Sequence, residues 1–260
     1  MAGSILGNRV LRKEDPKFLT TGGVYVDDLL DEPALHGALH VTYVRSTVAH
    51  GIITSIDTSD AASMPGIVAV FTGKDLGLEF VPSAYSPAAT RTLLATDKVR
   101  FVGEPIVAIV SETREEGEDA IDAVIIDYDV LPALIDLEEA MASSTLLYEA
   151  CGSNVVFDSM VLGLPDNTGD AYFADCEVVA KGRFINQRVA PCPLEVRGSA
   201  AAWGVDGRLT QWLSTQHAQG AVAPLAAANG VDPSMVHVKT PDVGGGFGAK
   251  IGAYPEELLL

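Results

Sequence analysis

Asp242-Val-Gly-Gly-Gly-Phe-Gly-Ala-Lys250 is the stretch that most restricts what this chain can become. Gly244, Gly245, Gly246 and Gly248 fill four of five consecutive positions, with Phe247 between the last two. Glycine loses more conformational freedom on folding than any other residue, so a purely structural loop has little use for such density. The pattern suits backbone that takes positive φ values and comes very close to something else. A bound anion or cofactor, held by bare N–H groups with no Cβ in the way, is the usual something. Phe247, the one large side chain, would then be pushed out against whatever is bound.

Several readings compete for this loop. A phosphate-binding P-loop ends in Gly-Lys-Ser/Thr, whereas Lys250 follows Ala249 and precedes Ile251. A dinucleotide fingerprint is formally matched by Gly244, Gly246 and Ala249, after the candidate strand Met235–Lys239. Pro241 and Pro255 interrupt that reading, and the acidic ribose partner expected about 20 residues on would lie past Leu260. A glycine turn with no ligand is the plain alternative.

Asp242–Lys250 also resembles the glycine-phenylalanine loop of the molybdenum hydroxylases, the xanthine dehydrogenase, aldehyde oxidase and carbon monoxide dehydrogenase large-subunit family. In that family the loop lies against the molybdenum-pterin cofactor. A second segment agrees. Thr215-Gln216 precedes an alanine-rich helix and resembles the family's Thr-Gln segment, whose Gln approaches the metal's ligand shell. Gln216 lies 31 positions before Phe247, which fits the family arrangement. Pro193-Leu-Glu195 is similar to the family's Pro-Met/Leu-Glu turn. Purine-oxidising members carry Glu directly after the loop lysine, and here that position is Ile251, which points away from xanthine and toward aldehyde-type or carbon-monoxide-type members, or others of unknown substrate.

Composition sets outer bounds. The chain of 260 residues has room for one large or two ordinary domains. Its 17 basic and 35 acidic residues give a formal net charge of −18, which repels nucleic acid and anionic lipid. The opening residues turn charged at once, which reads as neither a secretory signal nor a membrane span. Cys151, Cys176 and Cys192 are odd in number and widely spaced, which fits a reducing compartment and a cytoplasmic protein. No CxxC pair points to iron–sulfur or zinc ligation in this chain.

Hydrophobic patterning gives an α/β (α+β) chain. Residues 1–20 read as an N-terminal arm, 21–140 as a first domain and 141–260 as the incomplete opening of a second, with a linker around Asp136–Asn154. Strands are expected at Val24–Val26, Leu35–Arg45, Gly51–Asp57, Ile67–Phe71, Val99–Val110 (broken at Gly103 and Pro105) and Val124–Val130. Short helices are expected at Thr58–Ala62, with Thr58 or Ser59 as cap, and at Arg114–Ala123, capped by Ser111 or Thr113. Residues 79–95 read as a long surface loop. His36, His40 and His50 read as ordinary strand and loop residues rather than metal ligands. After an irregular acidic stretch, Cys176–Arg188 alternates like a long half-buried strand. Ala200–Gly204 and Leu209–Ser214 form a hairpin. A helix is expected from Gly220 to Ala228, bent or split at Pro224, closed by Asn229-Gly230 and capped by Thr215, which would put Gln216 in its first turn.

Val99–Leu134 with Asp57-Thr58 and Pro65–Gly73 resembles the small hammerhead α/β domain that opens the family's large subunit. The resemblance, running from about Asn8 to Leu260, implies a hammerhead domain followed by the start of a molybdopterin-binding domain. It implies a molybdenum–molybdopterin cofactor, with the cytosine dinucleotide as one form of its pterin, approached by Gln216, Gly245, Gly246, Phe247 and Gly248. None of these is a direct metal ligand. The general base is expected downstream of Leu260, so no catalytic residue lies in this chain and alone it should be inactive. The expected partners are the C-terminal remainder of the large subunit, in the same or a separate chain, an FAD-binding medium subunit and a 2Fe-2S small subunit. The expected chemistry is oxidation of an aldehyde, carbon monoxide or a heterocycle with water as the oxygen source. Two rivals stay open: a nucleotide-binding module using Gly244–Ala249, and a non-catalytic truncated relic.

Overall fold

A computed structural model describes residues 6, 7, 9–83, 86–155 and 170–260. The chain divides by its internal contacts into one unit of residues 38–189 and another that joins the first 37 residues to residues 190–260. The opening segment therefore folds with the C-terminal part. It holds helix α1 (Asp15–Thr20) and two short 3-10 turns, Val26–Asp31 and Pro33–Leu35. No strand forms at Val24–Val26, contrary to the expectation from its β-branched residues. The Val24 main chain is instead bonded to Asp242: its N–H donates to Asp242 Oδ2 at 2.8 Å, and its carbonyl accepts from the Asp242 N–H at 2.9 Å.

The 38–189 unit is built on two antiparallel three-stranded sheets. Strands β1 (His40–Arg45), β2 (Gly51–Asp57) and β3 (Ile67–Thr72) come first, with helix α2 (Ser59–Ala62) between the last two. β1 starts five residues later than its apolar run, because the preceding residues turn in the 3-10 segment. The Thr58 side chain makes no capping bond at α2; Asp57 Oδ1 accepts from the Ser59 N–H and hydroxyl instead. The stretch expected as a surface loop contains the short pair β4 (Val81–Pro82) and β5 (Thr90–Arg91), then buried Thr92, Leu94 and Ala95. β6 (Lys98–Val99) and β7 (Pro105–Ser111) follow, separated by the break expected at Gly103 and Pro105.

β7 is the middle strand of the sheet β1-β7-β3, and its unbroken apolar run is buried along nearly its whole length, as a strand covered on both faces requires. Helix α3 (Arg114–Asp119) is capped by Thr113, whose hydroxyl accepts from the Glu116 N–H while Glu116 Oε2 accepts from the Thr113 N–H. A Cβ at Gly117 would lie 2.6 Å from Thr42 Oγ1 and 2.7 Å from Ser111 Oγ, so glycine lets α3 press onto β1 and β7. Strand β8 (Ile125–Val130) completes the sheet β6-β2-β8. Val44, Val99, Ile106, Val107, Ile109, Ala61 and Ala120 form the core.

Helix α4 (Leu137–Ala142), capped by Asp136, leads into residues that are tied down. Lys98, almost wholly buried, donates to the Leu146 carbonyl at 3.2 Å and to Glu149 Oε1 at 2.6 Å, and Arg100 Nε donates to the Leu147 carbonyl at 3.1 Å. His50 is buried with Nδ1 3.1 Å from the Pro132 carbonyl, His36 and His40 are exposed, and no cluster of metal-ligating side chains occurs among the described residues. The irregular acidic stretch before Cys176 lies largely outside the described residues. Residues 176–188 form neither helix nor paired strand and are exposed along their length, with Val178, Phe184 and Ile185 at the surface. Their alternation is real, but among the described residues no neighbouring strand accepts their main-chain bonds.

In the other unit β9 (Ser199–Trp203) and β10 (Leu209–Leu213) make the expected hairpin. β10 then pairs in parallel with β11 (Val236–Lys239), in register Leu209 with Val236 through Trp212 with Lys239. Parallel neighbours need a crossover, which helix α5 (Ala218–Ala228) supplies. Its Ala221, Leu225 and Ala226 pack on Leu209, Leu213 and Val236. α5 runs as one helix through Pro224, starts two residues earlier than expected and ends at Asn229, with Gly230 at φ +64°. Helix α6 (Pro255–Leu258) closes the described chain. No helix among the described residues is long and apolar enough to cross a membrane.

Candidate functional site

The β10-α5-β11 arrangement decides where a site can form. In parallel α/β units ligands gather beyond the carboxyl ends of the strands, where loops leave the sheet side by side. β10 ends at Leu213 and runs into Ser214, Thr215 and Gln216; β11 ends at Lys239 and runs into Asp242 and the glycines. The two sequence motifs thus leave the same sheet edge from adjacent strands.

They meet directly. Gln216 Oε1 accepts from the Gly248 N–H at 3.0 Å and the Lys250 N–H at 3.2 Å, and the Gln216 N–H donates to the Lys250 carbonyl at 2.8 Å. Gln216 is therefore held by the far side of the glycine loop and lies before α5, not in its first turn. Thr215 does not cap that helix. Its hydroxyl donates to the Lys250 carbonyl at 3.0 Å and accepts from the His217 N–H at 3.1 Å.

Each glycine answers to a specific demand. A Cβ at Gly246 would lie 2.4 Å from Gln216 Oε1, and one at Gly244 would lie 2.6 Å from the Glu195 Cβ. Gly245 and Gly248 have φ of +100° and +92°, which side-chain-bearing residues rarely adopt. Phe247 is the one non-glycine among the described residues with positive φ, at 51°, and the residue is 77% exposed. A left-handed conformation costs an ordinary L-residue roughly 1–2 kcal/mol. That cost is kept while the apolar ring faces outward, the kind of local strain that collects at functional positions.

Beneath the loop is a buried polar knot. Lys250 is fully buried, and its Nζ donates to Glu195 Oε2 and Ser214 Oγ, each at 2.8 Å. The same carboxylate oxygen accepts from Ser214 Oγ at 2.7 Å and from the Gly244 N–H at 2.6 Å. Burial pushes Glu195 upward, but the hydrogen bonds from Lys250, Ser214 and Gly244 together outweigh it and hold the carboxyl below its usual range. With the folded value lowered, the stability that Glu195 contributes is complete above the ordinary carboxylate range and is lost as pH falls through the folded value. Stability curves of the parent and of Glu195→Gln between about pH 6 and pH 3 should therefore converge toward acid. Curves that stay parallel would contradict this assignment.

Arg197 ties off the chain after the loop. Its guanidinium binds Glu257 Oε1 through Nε at 3.0 Å and through Nη2, donates to the Gly252 carbonyl at 2.9 Å and to the Ala249 carbonyl, and stacks 4.0 Å from the Tyr254 ring centre. Burial pushes the Glu257 carboxyl upward against the pull of Arg197 and the Tyr254 N–H. The roles of Ser214, Arg197 and Glu257 are not visible in the sequence. Only the Pro193-Leu-Glu195 turn hinted at any of this network.

Residues 20–132 match the family model of the aldehyde oxidase and xanthine dehydrogenase a/b hammerhead domain, and residues 148–260 match that of the molybdopterin cofactor-binding domain. The chain belongs to the molybdenum hydroxylase family, as an N-terminal portion of the large subunit. This molybdenum hydroxylase chain is 37% identical to the nicotine 6-hydroxylase large subunit of Paenarthrobacter nicotinovorans, over 99% of the chain and 32% of that protein. It is 33% identical to the carbon monoxide dehydrogenase large chain of Hydrogenophaga pseudoflava, over 95% of the chain and 32% of that protein. Among solved structures it is similar to quinoline 2-oxidoreductase from Pseudomonas putida 86, at a TM-score of 0.83 and 33% identity, covering 98% of this chain and 33% of that one. The chain thus spans about a third of the length of the curated relatives it matches.

The loop of this molybdenum hydroxylase chain suits a molybdopterin. Among the described residues none accepts the main-chain N–H of Gly245, Gly246 or Phe247, so three successive donors stand beside Gln216 with no protein partner. Such a run of bare N–H groups accepts anionic or oxo oxygens. A side chain in place of Gly245, Gly246 or Gly248 would strain or crowd that approach.

Proposed function

We propose that this chain supplies the hammerhead domain and the first cofactor-binding elements of a molybdenum hydroxylase large subunit. Gly245, Gly246 and Gly248 admit the cofactor to the backbone, Gln216 faces the metal's ligand shell, and Phe247 shapes the substrate side. The observation that carries this reading is the meeting of Gln216 with the glycine loop at the carboxyl ends of two parallel strands. When bound, the molybdenum cofactor supplies oxygen transfer to the substrate and takes up the electrons. The chain's own share is to hold the Gln216 amide and the loop N–H groups at fixed spacing, so that the cofactor meets a site arranged in advance.

In our reading the general base comes from chain downstream of Leu260, and the working assembly includes the remainder of the large subunit, an FAD-binding medium subunit and a 2Fe-2S small subunit. Relatives named as large chains and as a gamma subunit of a dehydrogenase complex support that division of labour. The cysteines described are all free, which supports a cytoplasmic setting. Ile251, 54% exposed, stands where purine oxidisers carry Glu, which supports an aldehyde, carbon monoxide or a weakly polar heterocycle as substrate. The purified native assembly should reduce an acceptor dye with one of these classes and incorporate ¹⁸O from labelled water into the product. Turnover without label from water, or none with any of these classes, would overturn the reading.

Phe247→Gly separates shape from strain. Removing the residue from its left-handed conformation relieves about 1–2 kcal/mol, so thermal stability should hold or rise. KM should rise while molybdenum content stays unchanged, because the apolar wall is gone. A fall in stability with unchanged KM would contradict the role given to the ring.

A further inference from the structure

Besides the loop itself, the group that ties the two ends of the glycine loop together is the partly buried carboxylate of Glu195. One of its carboxylate oxygens accepts three donors from three places: Ser214 Oγ after β10, the Gly244 N–H where the glycine loop begins, and Lys250 Nζ where it ends. The Glu195 N–H donates back to the Gly244 carbonyl at 3.3 Å, so the attachment to Gly244 is two-point. Lys250 is fully buried and its ammonium has Ser214 Oγ as its other acceptor, at 2.8 Å. Between those two anchors the chain runs through Gly245, buried Gly246, and exposed Phe247 and Gly248.

We propose that Glu195 is a positioning residue for the cofactor loop, fixing through one oxygen the distance between Gly244 and Lys250 and hence the placement of the loop N–H groups against Gln216. The inference rests on the cofactor-binding reading above, and goes beyond it by assigning the loop's shape to a carboxylate outside the loop. The geometry explains why the lysine is buried: an ammonium at the loop's exit is useful only if it reaches the atom that already holds the loop's start. Gly244 follows as well, since any Cβ there would strike Glu195. Ser214 links the same oxygen to the strand that delivers Gln216, so both halves of the site share one reference point.

The test uses the native assembly with Glu195→Gln, Lys250→Met and the double variant. Glu195→Gln alone leaves a buried ammonium without its charge partner and should lower the melting temperature. The double variant removes the charge with little change of volume and should recover most of that loss. Positioning predicts that the double variant nevertheless exchanges the bonded amides of Gly248, Ala249 and Lys250 roughly 10-fold faster, the loss expected for one charge-assisted hydrogen bond. It should also release molybdenum faster on dialysis and show an altered Mo(V) resonance. A double variant with recovered melting temperature, unchanged exchange and an unchanged resonance would make the pair purely structural and overturn the proposal. If the parent assembly carries no molybdenum, the cofactor reading fails, while the amide-exchange comparison still decides the clamp.

Discussion

Gly246→Ala in the native assembly should abolish most activity while leaving the protein folded. The added Cβ would lie 2.4 Å from Gln216 Oε1, closer than any real contact, so either the loop or the amide must move. If the amide moves, its bonds to the Gly248 and Lys250 N–H groups go with it. Overpacking at such a site costs typically 1–3 kcal/mol, so roughly this much stability should be lost, short of unfolding. The larger effect is on chemistry, because displacing a positioned group by about 1 Å can cost on the order of 100-fold in rate. The check is kcat together with molybdenum per chain. A variant that keeps both within about threefold of the parent would show that Gln216 and the loop are not held for function.

Arg197→Ala should be the most destabilising single change in this region. Glu257 is 4% exposed and its carboxylate depends on the guanidinium, which also binds the carbonyls of Ala249 and Gly252. Removing one partner of a buried ion pair strands the other, at about 3–5 kcal/mol. Arg197→Lys should rescue little, because a point ammonium cannot reproduce a fork that bonds one carboxylate and two carbonyls. Arg197→Ala paired with Glu257→Gln should recover part of the loss. Thermal unfolding of the set gives the answer, and a loss below about 1 kcal/mol for Arg197→Ala would place the pair with weakly coupled surface bridges.

How much of this was legible beforehand depends on the range of the forces involved. The glycine loop was partly legible: Gly245 and Gly248 answer a local demand for positive φ, whereas Gly244 and Gly246 answer to Glu195 and Gln216, 49 and 30 positions away. β7 was legible because an unbroken apolar run has few other uses; the cap of α3 was legible only as Ser111 or Thr113, and it is Thr113. The knot was not legible, since Glu195 meets Ser214, Gly244 and Lys250 across 19, 49 and 55 positions of chain. Nor was the parallel pairing of β10 with β11, because single strands carry no mark of their neighbour's direction. Thr215 looked like a helix cap by residue type, yet its hydroxyl serves the Lys250 carbonyl 35 positions away. Residues 176–188 alternate like a strand, but alternation specifies two faces and does not provide a partner.

In the proposed reading, the meeting of Gln216 with the glycine loop serves a molybdenum cofactor bound against it. Molybdenum should therefore be quantified per copy of this chain in the assembly purified from its source cells, with the mass of every co-eluting chain. About one atom per chain, together with the remaining large-subunit sequence in the same or a separate polypeptide, is the expected result. A well-folded assembly without molybdenum or pterin would contradict it and leave these glycines as a relic.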